Sequence, residues 1–196
     1  GAADVTQYAS LSIGTADTFT PDNSGTDTLS FSGNITIASG GTYTIADSSR
    51  IVLNGSTAQE VSLADTVNFQ DLVVSNPAGV TVSGSNIRVS NDLSLVTGIL
   101  NMSGNTLTLP QGTTDQGFTI TSDSTSYVAN GTIKKLILGG EDAPAPAQRN
   151  YVRFPLGTTV ADTYRPLDIL FTNDPVDDVN VSVSHVASSP TGKEFN

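Results

Sequence analysis

From Asp27 to Leu138 the chain alternates short apolar pairs and triplets with Gly, Asn, Ser and Asp. Leu29-Ser30-Phe31, Ile35-Thr36-Ile37, Val61-Ser62-Leu63, Val80-Thr81-Val82, Ile87-Arg88-Val89, Leu93-Ser94-Leu95 and Leu107-Thr108-Leu109 all read apolar, polar, apolar. A period of two over so many short units predicts strands with one buried face. No window carries a helical period. Between Leu29 and Leu109 the only proline is Pro77, as a hydrogen-bonded sheet requires.

The units also repeat. Residues 29–40 overlay 87–98 without a gap, an offset of 58, and both segments end in Ser or Thr followed by Gly. Inside that offset a shorter period appears: Ile45, Leu63, Val82, Leu100 and Ile120 follow one another at 18, 19, 18 and 20 residues. Three turns of roughly 19 residues reproduce the longer offset, which predicts a β-solenoid whose inner ladder is those five residues. The expected fold class is therefore all-β, a parallel β-helix of about five coils followed by a small β-strand unit. Gly at 33, 40, 55, 79, 84, 98 and 104 supplies the corners. A meander or sandwich of short antiparallel strands fits the alternation as well, although it gives no reason for the repeat.

Four segments follow from the pattern. Residues 1–26 hold scattered apolar positions and are expected to cap or lead into the stack, 27–138 form the solenoid, and 139–150, rich in Gly and Pro, form a linker. Residues 151–196 carry mostly longer strands, Leu167–Phe171 and Val179–Val186 among them, and are expected to form a small C-terminal β unit. The last residues, Lys193 to Asn196, give the impression of a fragment of a longer protein.

Charge narrows the partners. Nineteen acidic against eight basic residues give a net charge of −11. The only adjacent basic pair is Lys134-Lys135, so neither nucleic acid nor an anionic membrane is an expected partner, and no apolar run is long enough for a membrane helix. Cysteine is absent, which excludes disulfides, thiolate metal sites and a cysteine nucleophile.

Candidate chemistry is sparse. The sole histidine, His185, continues the alternation of Val179, Val181 and Val183 and reads as the end of an apolar face; no Gly-x-Ser-x-Gly elbow accompanies it. Asp174, Asp177 and Asp178, in the densest acidic cluster, are a weak candidate calcium loop that matches no EF-hand spacing, and a solvated turn is the simpler reading. A glycosidase or lyase built on a solenoid needs carboxylates at a common strand position in neighbouring coils. Asp47, Asp65, Asp71 and Asp92 are expected mostly in corners instead. Ranks of threonine on a flat face would suit ice, but the 19-residue step carries Thr44 to Ser62, Thr81 and then Ile99 or Asn101, so the ladder breaks. Tyr43, Phe69, Tyr127 and Tyr151 are aromatic rings that could stack sugars, and the alternation turns most of them inward. No catalytic residue and no cofactor is expected.

Gly55-Ser56-Thr57-Ala58-Gln59-Glu60-Val61, Phe69 to Asn76 with Gly79-Val80-Thr81-Val82, and Leu93 to Leu100 followed by Asn105 to Leu109 resemble a repeat in large secreted proteins of Bacteroidetes. Ser126 to Gly131, Phe154-Pro155-Leu156-Gly157 and Tyr164-Arg165-Pro166-Leu167 occur in the same order there, so the resemblance spans roughly residues 30–171. It implies an exported or cell-surface, adhesin-like β-helical protein. In the same setting Asp27-Thr28-Leu29, Asp65-Thr66-Val67 and Asp123-Ser124-Thr125 resemble O-glycosylation acceptors. The functional expectation is a non-enzymatic secreted or cell-surface structural or adhesive module, its partner an extracellular or cell-surface polymer, glycan or protein. The alternative is a carbohydrate-active β-helix enzyme or a glycan-binding segment.

Overall fold

The computed structural model describes residues 5–20, 28–44, 49–109, 123–137, 152–159, 163–169 and 179–184. The first coil runs β1 (Val5–Tyr8), β2 (Leu11–Ile13), β3 (Thr18–Phe19), and the second β4 (Thr28–Phe31), β5 (Ile35–Ile37), β6 (Thr42–Tyr43). Then come β7 (Arg50–Leu53) with β8 (Gln59–Leu63), β9 (Val67–Ser75) with β10 (Val80–Ser83), and β11 (Ile87–Thr97) with β12 (Leu100–Asn101). They are followed by β13 (Thr106–Thr108), β14 (Val128–Ala129), β15 (Thr132–Ile137), β16 (Val152–Phe154), β17 (Leu156–Gly157), β18 (Leu167–Ile169) and β19 (Val179–Ser184).

These strands stack into a parallel β-solenoid of about five turns. The first sheet is ordered β1-β4-β7-β9-β11-β13-β15, parallel throughout, and β19 lies antiparallel on β15 at its end. The second sheet is ordered β2-β5-β8-β10-β12-β14-β17, again all parallel. β3 and β6 make a short third face, and β16 pairs with β18 antiparallel. Residues before 27 thus enter all three faces as β1, β2 and β3, while β17 and β19, from beyond residue 150, add to the second and first sheets.

The alternation becomes burial directly. Leu29, Ile51, Leu72 and Leu93 stand in one rank across four coils, each 5% exposed or less. Aromatic rings continue the ranks: Tyr8 stacks on Phe31, and Phe19, Tyr43 and Phe69 follow one another with centroids 6.0 and 5.4 Å apart.

Coil length departs from the expected uniform 19. The rank Val5, Thr28, Arg50, Asp71, Asp92 advances by 23, 22, 21 and 21 residues, and the step Leu100 to Val128 is 28. The expected inner ladder is therefore out of register. Val82 neighbours Val61 and Leu100 neighbours Val80, each displaced by two residues from the expected partner, while Leu63 neighbours Ile37. Displacement by two keeps a side chain on the same face, which is why those residues are nonetheless buried. Ile45 and Ile120 lie outside the described residues.

The gap-free overlay fails for a related reason. β9 and β11 are nine and eleven residues long and carry two columns each. The second half of β9 receives β7 and pairs in turn with the second half of β11, in the register Ile51 to Leu72 to Leu93, whereas Ile87 and Arg88 at the start of β11 receive β13. Leu29 belongs to the column of Leu93, and Ile87 to another.

Corner chemistry holds these steps apart. Gly98 sits at φ +86°, and a Cβ there would lie 1.8 Å from the Asn76 carbonyl oxygen, so only glycine fits.

Candidate functional site

Two kinds of polar group are available for chemistry: those turned outward from the sheets, and those drawn into the corners and the core.

On the outer face of the first sheet, Arg50, Asp71 and Asp92 occupy one rank in three consecutive coils. Asp71 and Asp92 therefore lie within strands, not in corners as the sequence suggests; Asp65 does sit in an exposed corner, and Asp47 is outside the described residues. β11 bulges between Val89 and Asp92. The bulge is tied down by Asp71, whose Oδ1 accepts hydrogen bonds from Asn91 Nδ2 at 2.6 Å and from the Asp92 N–H at 3.1 Å. Its Oδ2 faces Arg50 Nε at 3.9 Å. Asp71 thus already has protein partners on both oxygens.

The same sheet carries a depression over its first three coils. Gln7, Ser30 and Val52 form one outward rank, and the adjoining positions Ala9, Ser32 and Asn54 extend it past the strand ends, where the Ser32 and Asn54 N–H groups bond to Tyr8 and Phe31 carbonyls. Small side chains at Ala9, Ser30 and Ser32 leave a cavity of about 420 Å³, lined by those three with Gln7, Tyr8 and Asn54. Ser30 is only 6% exposed, and its hydroxyl makes no hydrogen bond among the described residues.

Inside the corner that leads from β7 into β8, two buried amides stitch three coils. Gln59 Nε2 donates to the carbonyls of Phe31 and Gly33 at 2.9 and 2.7 Å, and its Oε1 accepts from the Gly55 N–H at 2.8 Å. Asn76 Nδ2 donates to Gln59 Oε1 and to the Thr57 carbonyl, each at 2.8 Å, while its Oδ1 accepts from the Ala78 N–H. This pair was not singled out from sequence; Gln59 at an inward strand position is the signal that could have found it.

Lys135 is a second surprise of position. Alternation in β15 turns Lys134 to solvent and Lys135 inward between Ile133 and Ile137, and burial pushes the Lys135 amine down to about 8. Burial likewise pushes the Tyr43 phenol up to about 12. The carboxyl of Asp123 is held below its ordinary value by hydrogen bonds from Thr125 and Ser126, which close an exposed turn.

No family model matches the chain, and no curated protein or solved structure matches it. The site is therefore read from its own geometry. Asp174, Asp177, Asp178, His185 and Tyr151 lie outside the described residues. Phe69 and Tyr127 are buried and Tyr43 is half-buried, as the alternation requires. Hydroxyls do align on the second sheet, but as Ser12, Thr36, Ser62 and Ser83, with Ser83 donating to Glu60 Oε1; Thr81 stands beside Glu60 and Asn101. Among the described residues no group of three or more His, Cys, Asp or Glu could hold a metal ion, and no helix is long and apolar enough to cross a membrane.

Proposed function

We propose that the chain is a secreted or cell-surface structural module that adheres, without catalysis, to an extracellular polymer. The observation that carries this reading is the use made of its polar side chains. Gln59, Asn76, Asp71 and Asp123 hold corners, bulges and turns, so the coils become a stiff support for rows of small outward residues. Parallel stacking supports the same reading, because each coil presents its outward residues about 4.8 Å from those of the next, a spacing suited to an extended chain laid across the strands. The sequence resemblance to exported adhesin-like proteins agrees with the location. Nucleic acid and membrane lipid are poor partners for a chain of charge −11.

The test is binding of the purified, labelled chain to cell-wall and extracellular-matrix fractions, with antibody detection of the native protein in surface fractions of the producing cells. Retention on a polymer fraction together with surface location supports the proposal. Absence of both sinks it.

A carbohydrate-active enzyme is the second reading, and one observation favours it: Asp71 and Asp92 are paired in register on neighbouring coils, the placement that a two-carboxylate mechanism needs. Release of reducing ends or unsaturated products from polysaccharides, abolished in both Asp71→Asn and Asp92→Asn, would establish it. The Arg50 and Asn91 contacts that engage Asp71 argue for the structural role instead.

A further inference from the structure

We infer that the depression on the first sheet is a subsite for a neutral saccharide. This deepens the adhesive reading, on which it rests, by naming the chemistry of the partner and the residues that meet it.

The argument begins with Ser30. It is only 6% exposed as a whole and its side chain makes no hydrogen bond among the described residues, so what accessible surface that side chain has faces the depression and its hydroxyl is free to bond whatever occupies it. Its rank runs Gln7, Ser30, Val52, so the side chain stands on the outer face of the sheet, and Ser30 lines the cavity there. At about 420 Å³ the cavity falls within the range of roughly 300–1,000 Å³ typical of small-molecule sites.

The lining selects the ligand class. Gln7, Tyr8, Ala9, Ser30, Ser32 and Asn54 include no charged group, so a phosphate, sulfate or uronate would lose its hydration without a counter-charge. An apolar ligand would leave the Ser30 hydroxyl and the two amides unanswered. A peptide strand adds to a sheet at its edge, through free backbone groups; among the described strands the edge on this side is β1, so such a strand would lie beside the depression, whose centre at Ser30 is on β4, paired on both sides. What remains is a neutral ligand bonding through its own hydroxyls. The amides of Gln7 and Asn54 each offer a donor and an acceptor, the pairing that vicinal sugar hydroxyls satisfy; the Ser30 hydroxyl can serve as either, and Ser32 Oγ, which donates to the Tyr8 carbonyl at 3.5 Å, can accept.

The test uses the full chain, amide-resolved NMR and four soluble neutral probes: cellohexaose, xylohexaose, laminarihexaose and mannohexaose, with oligogalacturonate as the charged control. Two variants accompany the wild type. Ser30→Val fills the cavity and, with Val52 and Val73 on the same rank, suits the strand; Asn54→Ala removes one amide from an exposed position. The expected result is that at least one neutral hexasaccharide shifts the amides of Gln7, Ser30, Ser32 and Asn54 at millimolar concentration, that oligogalacturonate does not, and that both variants weaken binding by about tenfold or more while keeping the wild-type spectrum elsewhere. If none of the neutral probes shifts these amides, or if Ser30→Val binds as well as wild type, the subsite is refuted. Retention of Ser30→Val on the polymer fractions that hold the wild type would refute the subsite and leave the adhesive reading standing. Failure of the wild type on every fraction would refute the adhesive reading, whatever the hexasaccharides do.

Discussion

Replacing Gln59 by leucine keeps the side-chain volume and removes the Gln59 amide from the corner where three coils meet. Its consequences can be counted group by group. The Phe31 carbonyl keeps a partner, the Asn54 N–H at 3.0 Å, and the Gly33 carbonyl is half-buried, so water offsets part of its loss. Two donors are left in dry surroundings: the Gly55 N–H and the Asn76 amide hydrogen that pointed at Gln59 Oε1. At about 1–3 kcal/mol for each unsatisfied buried group, with a smaller contribution from Gly33, the variant should lose about 3–5 kcal/mol. Urea unfolding followed by far-ultraviolet circular dichroism measures it, provided that the slope with denaturant is unchanged, since a stack of coils can also lose one end alone. Asn76→Ala should lose about 2–4 kcal/mol, and the double variant should lose less than the two single losses combined, because the variants share one hydrogen bond. A loss below about 1 kcal/mol for Gln59→Leu would refute the claim that this corner fastens the coils.

Three further outcomes follow from the same structure. Gly98→Ala must move the backbone away from the Asn76 carbonyl and accept a positive φ, and should cost about 2–5 kcal/mol in the same urea assay. Val82→Asp places a carboxylate at a position 1% exposed, and should unfold the middle coils; a melting point within a degree or two of wild type would contradict the inward assignment. Lys135 gives a pH signature: the native amine loses its proton near pH 8 and the unfolded one near 10.5, so the unfolded state holds more protons between those values and stability rises with pH across that window. The rise amounts to about 3 kcal/mol, so the gain in stability from Lys135→Met should be larger at pH 7 than at pH 10.5 by about that amount, and an equal gain at both would contradict the burial.

The stacking was legible because inward positions recur with a period of two in every unit, and burial follows that parity whatever the loop lengths between. Register was not legible, because corners lie outside the core and can lengthen freely. Steps of 21 and 20 residues, where the spacing of apolar positions suggests 19 and 18, slide the ladder by two without changing which residues are apolar. The long strands β9 and β11 added a second ambiguity, since Leu29 and Ile87 look equivalent as sequence yet belong to different columns. Site residues were harder still. Asp71 and Asp92 read as corner residues, and only the unbroken run Val67–Ser75 shows the first to be within a strand. Lys135 was visible in the alternation with Ile133 and Ile137, but adjacency to Lys134 gave the pair the look of a solvated surface. Ser30 carries no sequence signal, because its burial comes from neighbours in other coils.

The central claim is the parallel register that brings these residues together, and scalar couplings across hydrogen bonds read it directly. In a deuterated, doubly labelled sample the account predicts correlations from the Gln59 amide nitrogen to the Gly79 carbonyl carbon, from Val80 to Ile99, and from Leu100 to Tyr127. Antiparallel pairings among these strands, or parallel ones displaced by two residues, would contradict it.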